Sequence, residues 1–348
     1  MKKKTIIFWY LIPSPSLIDR LNDLNKNPNL KIIVLFSSYT NSIRNWVFDE
    51  KKWNFEYHFL NNKGFFFLFT LKYDLLVTFH YHLKNLIFIF FSRLFFRNVI
   101  IGYVKNYETW RKKKLLNEFM RYFIFNFLVS GFQFTGKDAK DQCSHYLFLK
   151  KKYFFAPWNY VSSFNYKNNY IPPGQKKINL LYVGRITPEK GIDLIIDASI
   201  QSRVIRENYT FTFVGTGSYE IEFIKKFNNL KNIKYVGFIQ HESLLNYYLN
   251  SDAFIFPSLG EPYGIVIDEA LSFHLPIICS NSIGELSHRV IDQYNGRIFN
   301  PNNLSTLISI LHNMHKNRNL FKEYSNNSKK ILRKMKKNTY SEEILKML

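Results

Sequence analysis

Two cations and two carboxylates stand out for their spacing. Arg185 and Lys190 lie in Val183-Gly-Arg-Ile-Thr-Pro-Glu-Lys-Gly191, directly after an apolar run. Thr187 suits an N-cap and Pro188 a first helical position, which puts Lys190 in a first turn, where the helix dipole disfavours a cation. A bound anion removes that conflict, so the pair is suited to a phosphate or diphosphate. A solvated lysine and a salt-bridged arginine account for the same pattern. Glu261 and Glu269 lie in Pro257-Ser-Leu-Gly-Glu-Pro-Tyr-Gly-Ile-Val-Ile-Asp-Glu269. Carboxylates accept hydrogen bonds in pairs, which suits sugar and ribose hydroxyls. Acid enrichment at a helix start explains Glu261 but not Glu269, deep in an apolar helix. Gly215 and Gly217, in Phe213-Val-Gly-Thr-Gly217, let backbone approach a phosphate or make a tight turn. Ser282-Ile-Gly-Glu-Leu286 is a further turn after a strand. His80 and His82, in Thr78-Phe-His-Tyr-His82, and Glu108 are candidates for an acceptor side, or else packed or solvated side chains.

These residues need strand ends to hold them. Apolar runs at 6–12, 31–37, 74–79, 98–103, 131–135 and 153–156 alternate with helical stretches at 16–25, 83–96, 112–129 and 137–147. Residues 40–64 show no clear period. Residues 165–177, with a Pro-Pro-Gly break, read as a linker. Strands at 178–183, 211–214, 234–236, 253–256, 276–280 and 296–299 then alternate with helices at 188–200, 218–228, 241–250 and 264–273, and 303–337 is mostly helical. Strand–helix alternation predicts parallel α/β domains, where ligands sit beyond the carboxyl ends of the strands.

The chain has 348 residues, 48 Lys+Arg against 26 Asp+Glu, a formal charge of +22, and 46% hydrophobic residues. It is too apolar for disorder. Two cysteines, Cys143 and Cys279, make neither a disulfide framework nor a structural zinc site. Residues 1–178 hold 28 Lys/Arg and 10 Asp/Glu, so +18 of the +22 falls there. Nucleic-acid binding rests on this charge alone, with no recognition motif beside it, so no nucleic-acid partner is expected. The start, Met1-Lys-Lys-Lys then Ile6–Ile12, imitates a signal peptide but lacks an A-x-A-like site and reads better as a buried strand. No uncharged apolar stretch reaches about 18 residues, the length needed to span a membrane as a helix. Arg and Lys alternate with Phe and Leu in 83–97 and 111–128. Such helices either lie on an anionic membrane or pack on their own sheet with a basic face in water.

Gly184-Arg185…Glu189-Lys190-Gly191, Val214-Gly215-Thr-Gly217, Gly237-Phe238 and Pro257-Ser258…Glu261-Pro-Tyr-Gly264…Glu269-Ala270 occur in an order that resembles retaining glycosyltransferases of family 4. The resemblance is specific across 178–300; in the first half, Ala156-Pro-Trp-Asn-Tyr-Val161 is similar to the family's Pro-Asn-Gly-Val-Asp element. It implies an α/β GT-B fold: two doubly wound Rossmann-like domains facing across a cleft. These would be an acceptor-binding domain at 1–164, the linker 165–177, and a nucleotide-sugar domain at 178–335. A C-terminal helix at 336–348 would pack back on the first domain.

The resemblance also implies roles. Arg185 and Lys190 would hold the donor diphosphate and, with Glu261 at the transferred sugar, form the catalytic set. Glu269 would take the ribose. Gly184, Gly215 and Gly217 would line the donor cleft, with Phe238 and Ile239 about the base, and Tyr263, Gly264 and Ile265 beside the donor. Fixed cations would replace a metal, so neither a metal nor another cofactor is expected beside the nucleotide sugar. His274 stands where the family usually has glycine, and the glycine-rich loop after the first strand is replaced by Ile12-Pro-Ser-Pro-Ser16.

The expected reaction is retaining transfer of a hexose-type sugar to an acceptor hydroxyl. The expected acceptor is a lipid-linked saccharide in bacterial surface polysaccharide assembly, whether lipopolysaccharide, capsule or exopolysaccharide. The expected location is cytoplasmic, at the inner membrane face. An epimerase or phosphorylase on the same architecture is the competing enzyme class.

Overall fold

A computed structural model describes residues 3–39, 48–60, 70–79, 83–95, 98–104, 115–155, 173, 176–335 and 340–348. The chain forms two compact units, 1–158 with 338–348, and 159–337. The division falls ahead of the expected 165–177 linker, most of which lies outside the described residues.

The first unit is a seven-stranded parallel sheet in the order β3-β2-β1-β4-β5-β6-β7. Its strands are β1 (Lys4–Tyr10), β2 (Leu30–Phe36), β3 (Glu56–Phe59), β4 (Leu75–Thr78), β5 (Asn98–Tyr103), β6 (Gly131–Phe134) and β7 (Lys152–Phe155). β1 is almost continuously apolar because both faces are covered, as parallel sheets require. Ile6 and Phe8 enter one core layer, Ile7 and Trp9 the other. The helices are α1 (Pro15–Leu24), α2 (Leu83–Leu94), α3 (Leu115–Phe123) running into a π-helix (Ile124–Leu128), and α4 (Lys137–Ser144).

The last helix of the chain also belongs to this unit. Ile344 is fully buried in the layer of Ile6 and Phe8, and the Tyr340 hydroxyl donates to Gln133 Oε1 at 2.8 Å. Residues 40–64, shapeless in sequence, contain β3, which is an edge strand, and a 3-10 turn at Glu50–Lys52.

The second unit has six parallel strands: β8 (Ile178–Val183), β9 (Tyr209–Val214), β10 (Ile233–Gly237), β11 (Ala253–Phe256), β12 (Ile277–Ser280) and β13 (Gly296–Phe299). Their order is β10-β9-β8-β11-β12-β13. The order reverses between β8 and β11, so the loops after these strands diverge to opposite faces and leave a crevice at their carboxyl ends. Both cations lie just past β8, and Glu261 just past β11.

The expected helix 188–200 is broken. Pro188–Lys190 is a 3-10 turn that ends at Gly191 in the left-handed region, and α5 (Asp193–Gln201) starts after it. Lys190 therefore sits at the close of a short turn, not in the first turn of a long helix. A short α6 (Arg203–Asn208) had no forecast. The remaining helices are α7 (Glu220–Phe227), α8 (His241–Leu249), α9 (Ile265–Ser272), α10 (Leu304–Lys316), α11 (Asn319–Met335) and, in the first unit, α12 (Tyr340–Leu345).

The loop before α9 is held by one buried guanidinium. Arg289 is wholly buried and donates five hydrogen bonds, the full capacity of its side chain. Nε donates to Glu285 O (3.0 Å), Nη1 to Gly264 O (3.2 Å) and Asp268 Oδ1 (3.1 Å), and Nη2 to Gly284 O (2.7 Å) and Tyr263 O. It also lies over the Tyr263 ring, 4.0 Å from the centroid, and that tyrosine donates to Asp268 Oδ2 at 2.9 Å. Removing the guanidinium strands a buried carboxylate and four carbonyls. Arg289→Met is expected to cost about 3–5 kcal/mol, and adding Asp268→Asn to recover part of it. All five tryptophans fall within 1–158. In urea, Arg289→Met should therefore lower the midpoint followed by circular dichroism and leave the tryptophan-fluorescence transition in place.

Candidate donor site

The β8 and β9 loops continue to pair past the sheet. Gly184 N donates to Val214 O and Ile186 N to Thr216 O, both at 3.0 Å, and Gly215 N donates to Gly237 O at 2.8 Å. A Cβ on Gly215 would stand 1.9 Å from Gly184 O, at a φ of +134°, and one on Gly217 would stand 2.2 Å from Ile186 O. The sequence leaves these glycines two readings, ligand approach or a tight turn, and the neighbouring backbone that fills the space beside them accords with the tight turn. Phe238 and Ile239 are half-buried just past β10, on the Gly237 side of the same loop group.

The β11 loop closes the other side. The carbonyl of Glu189 accepts from Leu259 N at 2.9 Å and from Ser258 Oγ at 3.2 Å, which ties the β8 turn to the β11 loop. This brings Lys190 to Glu261, 71 residues away, at 2.5 Å between Nζ and Oε2. Lys190 is 7% exposed, so its ammonium has exchanged most of its water for this carboxylate. An unpaired charge there would be costly. The other oxygen of Glu261 faces two backbone amides, Tyr263 N at 3.5 Å and Gly264 N at 3.3 Å. Glu261 thus occupies a small anion site made of one ammonium and successive N–H groups. Arg185 is the more open cation, 44% exposed, and pairs with Glu189 at 3.0 Å. Each cation of the predicted diphosphate site carries a carboxylate of the protein itself.

The two acids in the middle of α9 have different surroundings. Asp268 is buried on Arg289, whereas half-buried Glu269 accepts from the Tyr248 hydroxyl at 2.8 Å. Burial pushes the Glu269 carboxyl up to about 7, against the Tyr248 hydrogen bond, which favours the charged form.

Tyr263, predicted beside the donor, is 1% exposed and packs into the Arg289–Asp268 group; only its backbone N–H reaches Glu261. Gly264 precedes α9 with φ of +73°, and Ile265 is the helix's half-buried first residue. His80, His82 and Glu108 lie outside the described residues. Tyr248 and Arg289 had no signal in spacing: one is in a helix with a second tyrosine beside it, the other in a polar loop. Among the described residues no three His, Cys, Asp or Glu side chains gather as metal ligands.

Comparison with known proteins bears on the family and the fold. The family model of glycosyl transferases group 1 matches residues 167–331. An uncharacterized 41.2 kDa protein in the cps region of Klebsiella pneumoniae is 28% identical over 144 residues, 40% of this chain and 38% of that protein. The glycogen synthase of Mycobacterium tuberculosis is 34% identical over 131 residues, 37% of this chain and 31% of that enzyme. The chain thus spans under two fifths of the length of these curated relatives. The structure of Anabaena Alr3699/HepE in complex with UDP-glucose superposes with a TM-score of 0.74 at 15% identity, over 99% of this chain and 100% of that one. The two parallel α/β units are those of the GT-B fold, and it is the second of them that matches the glycosyl transferases group 1 model.

Proposed function

We propose that the chain is a retaining glycosyltransferase that moves a hexose-type sugar from a nucleotide diphosphate sugar to an acceptor hydroxyl. The observation that carries this reading is the buried Lys190–Glu261 pair beside Arg185–Glu189 at the β8/β11 reversal. Lys190 and Arg185 take the diphosphate and stabilise charge on the leaving group. In exchange Glu261 leaves Lys190 and becomes free to accept from hydroxyls of the transferred sugar. Because one anion replaces another on each cation, neither cation is left without a counter-charge, and the released Glu261 carboxylate keeps the Tyr263 and Gly264 amides. Glu269 accepts from the ribose hydroxyls, with Tyr248 as its positioning residue. The two cations serve in place of a divalent ion, so turnover should persist in EDTA.

The names of the relatives, a glycogen synthase and a cps-region protein, support a polysaccharide context. The ligand of the Anabaena structure supports a UDP-sugar as the first donor to try. We infer that the acceptor is a lipid-linked saccharide of bacterial surface polysaccharide assembly, taken by the basic first unit on the cytoplasmic side.

A thermal-shift panel of UDP-, GDP-, ADP- and dTDP-sugars should pick out one nucleotide, and the product's anomeric NMR couplings should match those of the donor. Lys190→Ala and Arg185→Ala should each lower turnover by roughly 10²–10³-fold. Near-normal turnover in both would overturn the assignment.

Glu269 makes a two-sided pH prediction. Its carboxyl ionises near 7 in the fold and near its ordinary 4.5 when unfolded. The folded state therefore binds the extra proton between those values, and this group's contribution to stability falls as pH rises from 4.5 to 7. Donor affinity should move the opposite way, since hydroxyl recognition wants the carboxylate. It should weaken by up to about tenfold per pH unit below 7. Calorimetric titration of donor and of Glu269→Gln checks this: the variant should bind more weakly at pH 8 and lose the slope.

A further inference from the structure

Among the described residues, the second unit scatters its exposed apolar side chains, while the first gathers them. On α2 and the turn residue that follows it, the apolar residues at 87, 90, 91, 94 and 95 recur at helical spacing and are all at least 40% exposed, while Phe88 and Ile89 are buried beneath. The helix is apolar on both faces, and it packs against the π-helix at Ile124–Leu128. Phe123, just ahead of that π-helix, and Phe127, within it, have ring centroids 5.4 Å apart, and Phe127 reaches Phe148 at 5.8 Å. Phe148 is 65% exposed and Leu149 42%. Contiguous apolar surface of this kind marks an interaction site.

The loop carrying Phe148 and Leu149 is held outward by its hydrogen bonds. Asn126, itself 1% exposed, accepts at Oδ1 from the amides of both Phe148 and Leu149 at 3.1 Å. Its Nδ2 donates to Tyr122 O (2.8 Å) and Tyr146 O (2.9 Å). Lys151 Nζ donates to the carbonyls of Asn126, within the π-helix, at 2.6 Å and of Val129, just after it, at 2.9 Å. A buried polar network thus fixes two large apolar side chains in solvent. Lys150 and Lys152 flank them and are exposed. No Asp or Glu occurs between Asp141 and Glu189, nor between Glu118 and Asp138.

We infer that Phe123, Phe127, Phe148 and Leu149, rimmed by Lys150 and Lys152, form a docking surface for an anionic bilayer. Aromatic side chains enter the headgroup–acyl boundary and the lysines meet lipid phosphates. No helix of the described residues is long and apolar enough to cross the membrane. A two-fold contact between copies of the chain would instead bring the same lysines together.

The inference is independent of sugar transfer, because its assay contains no donor. The full chain is floated with vesicles of phosphatidylcholine containing about 30% phosphatidylglycerol, and with phosphatidylcholine alone. Wild type should float with the anionic vesicles and lose binding as salt rises. Phe148→Ser/Leu149→Ser should reduce partitioning at least tenfold with an unchanged circular dichroism spectrum, and Lys150→Glu/Lys152→Glu should remove the preference for anionic lipid. Absence of wild-type flotation at low salt, or equal binding to both vesicles, overturns the inference. So does a dimer in sedimentation velocity that the Phe148/Leu149 variant dissolves while vesicle binding is unchanged.

Discussion

The guanidinium of Arg289 is the constraint on which the second unit's site depends. The loop between β11 and α9 has no regular structure of its own, yet it must present Glu261 to Lys190. Four carbonyls, from Tyr263, Gly264, Gly284 and Glu285, converge on one side chain, and Asp268 balances its charge. Two loops from different strands are thereby held as a single body. A planar, always-charged group with five donors is suited to this; a lysine has fewer donors and no fork. Glu261 is then positioned indirectly, through backbone: Gly284 N donates to Glu261 O and Glu261 N to Ser282 O, at 2.8 and 3.0 Å.

Beside this rigid part stands an exchangeable one. Lys190 and Arg185 are both satisfied by carboxylates of the protein, but to different degrees of burial. The buried pair gives the Lys190 side chain a carboxylate partner where most of its water is excluded. The exposed pair is screened and contributes little to stability. Arg185 is accordingly the easier of the two to redirect, and Lys190 the one whose partner must be replaced like for like.

Much of this site is legible in the sequence because strand ends are legible. β8 and β11 are short apolar runs bounded by Gly and Pro, and residues just past such strands in an α/β sheet face a ligand. Arg185, Lys190, Glu261 and Glu269 stand out on that basis. Side-chain direction in loops carries no such period, so Tyr263 is assigned to the donor by its place in the motif although its ring is buried on Arg289. Tyr248 and Arg289 act through contacts 21 and 25 residues away, to Glu269 and Gly264, which no local spacing encodes. β3 escapes notice because it is a half-buried edge strand, and the π-helix because its extra residue preserves an aromatic-rich helical pattern.

The contact of Gly215 with the Gly184 carbonyl has a consequence for how related chains are read. A methyl group at 215 or 217 has no room regardless of what the chain binds. A descendant that lost the charges of the site but kept the fold would retain both glycines, and a motif search would go on recognising it. Evidence of retained chemistry in such a lineage lies with the charges, above all with Lys190, whose burial is tolerable only while a carboxylate or a ligand anion answers it.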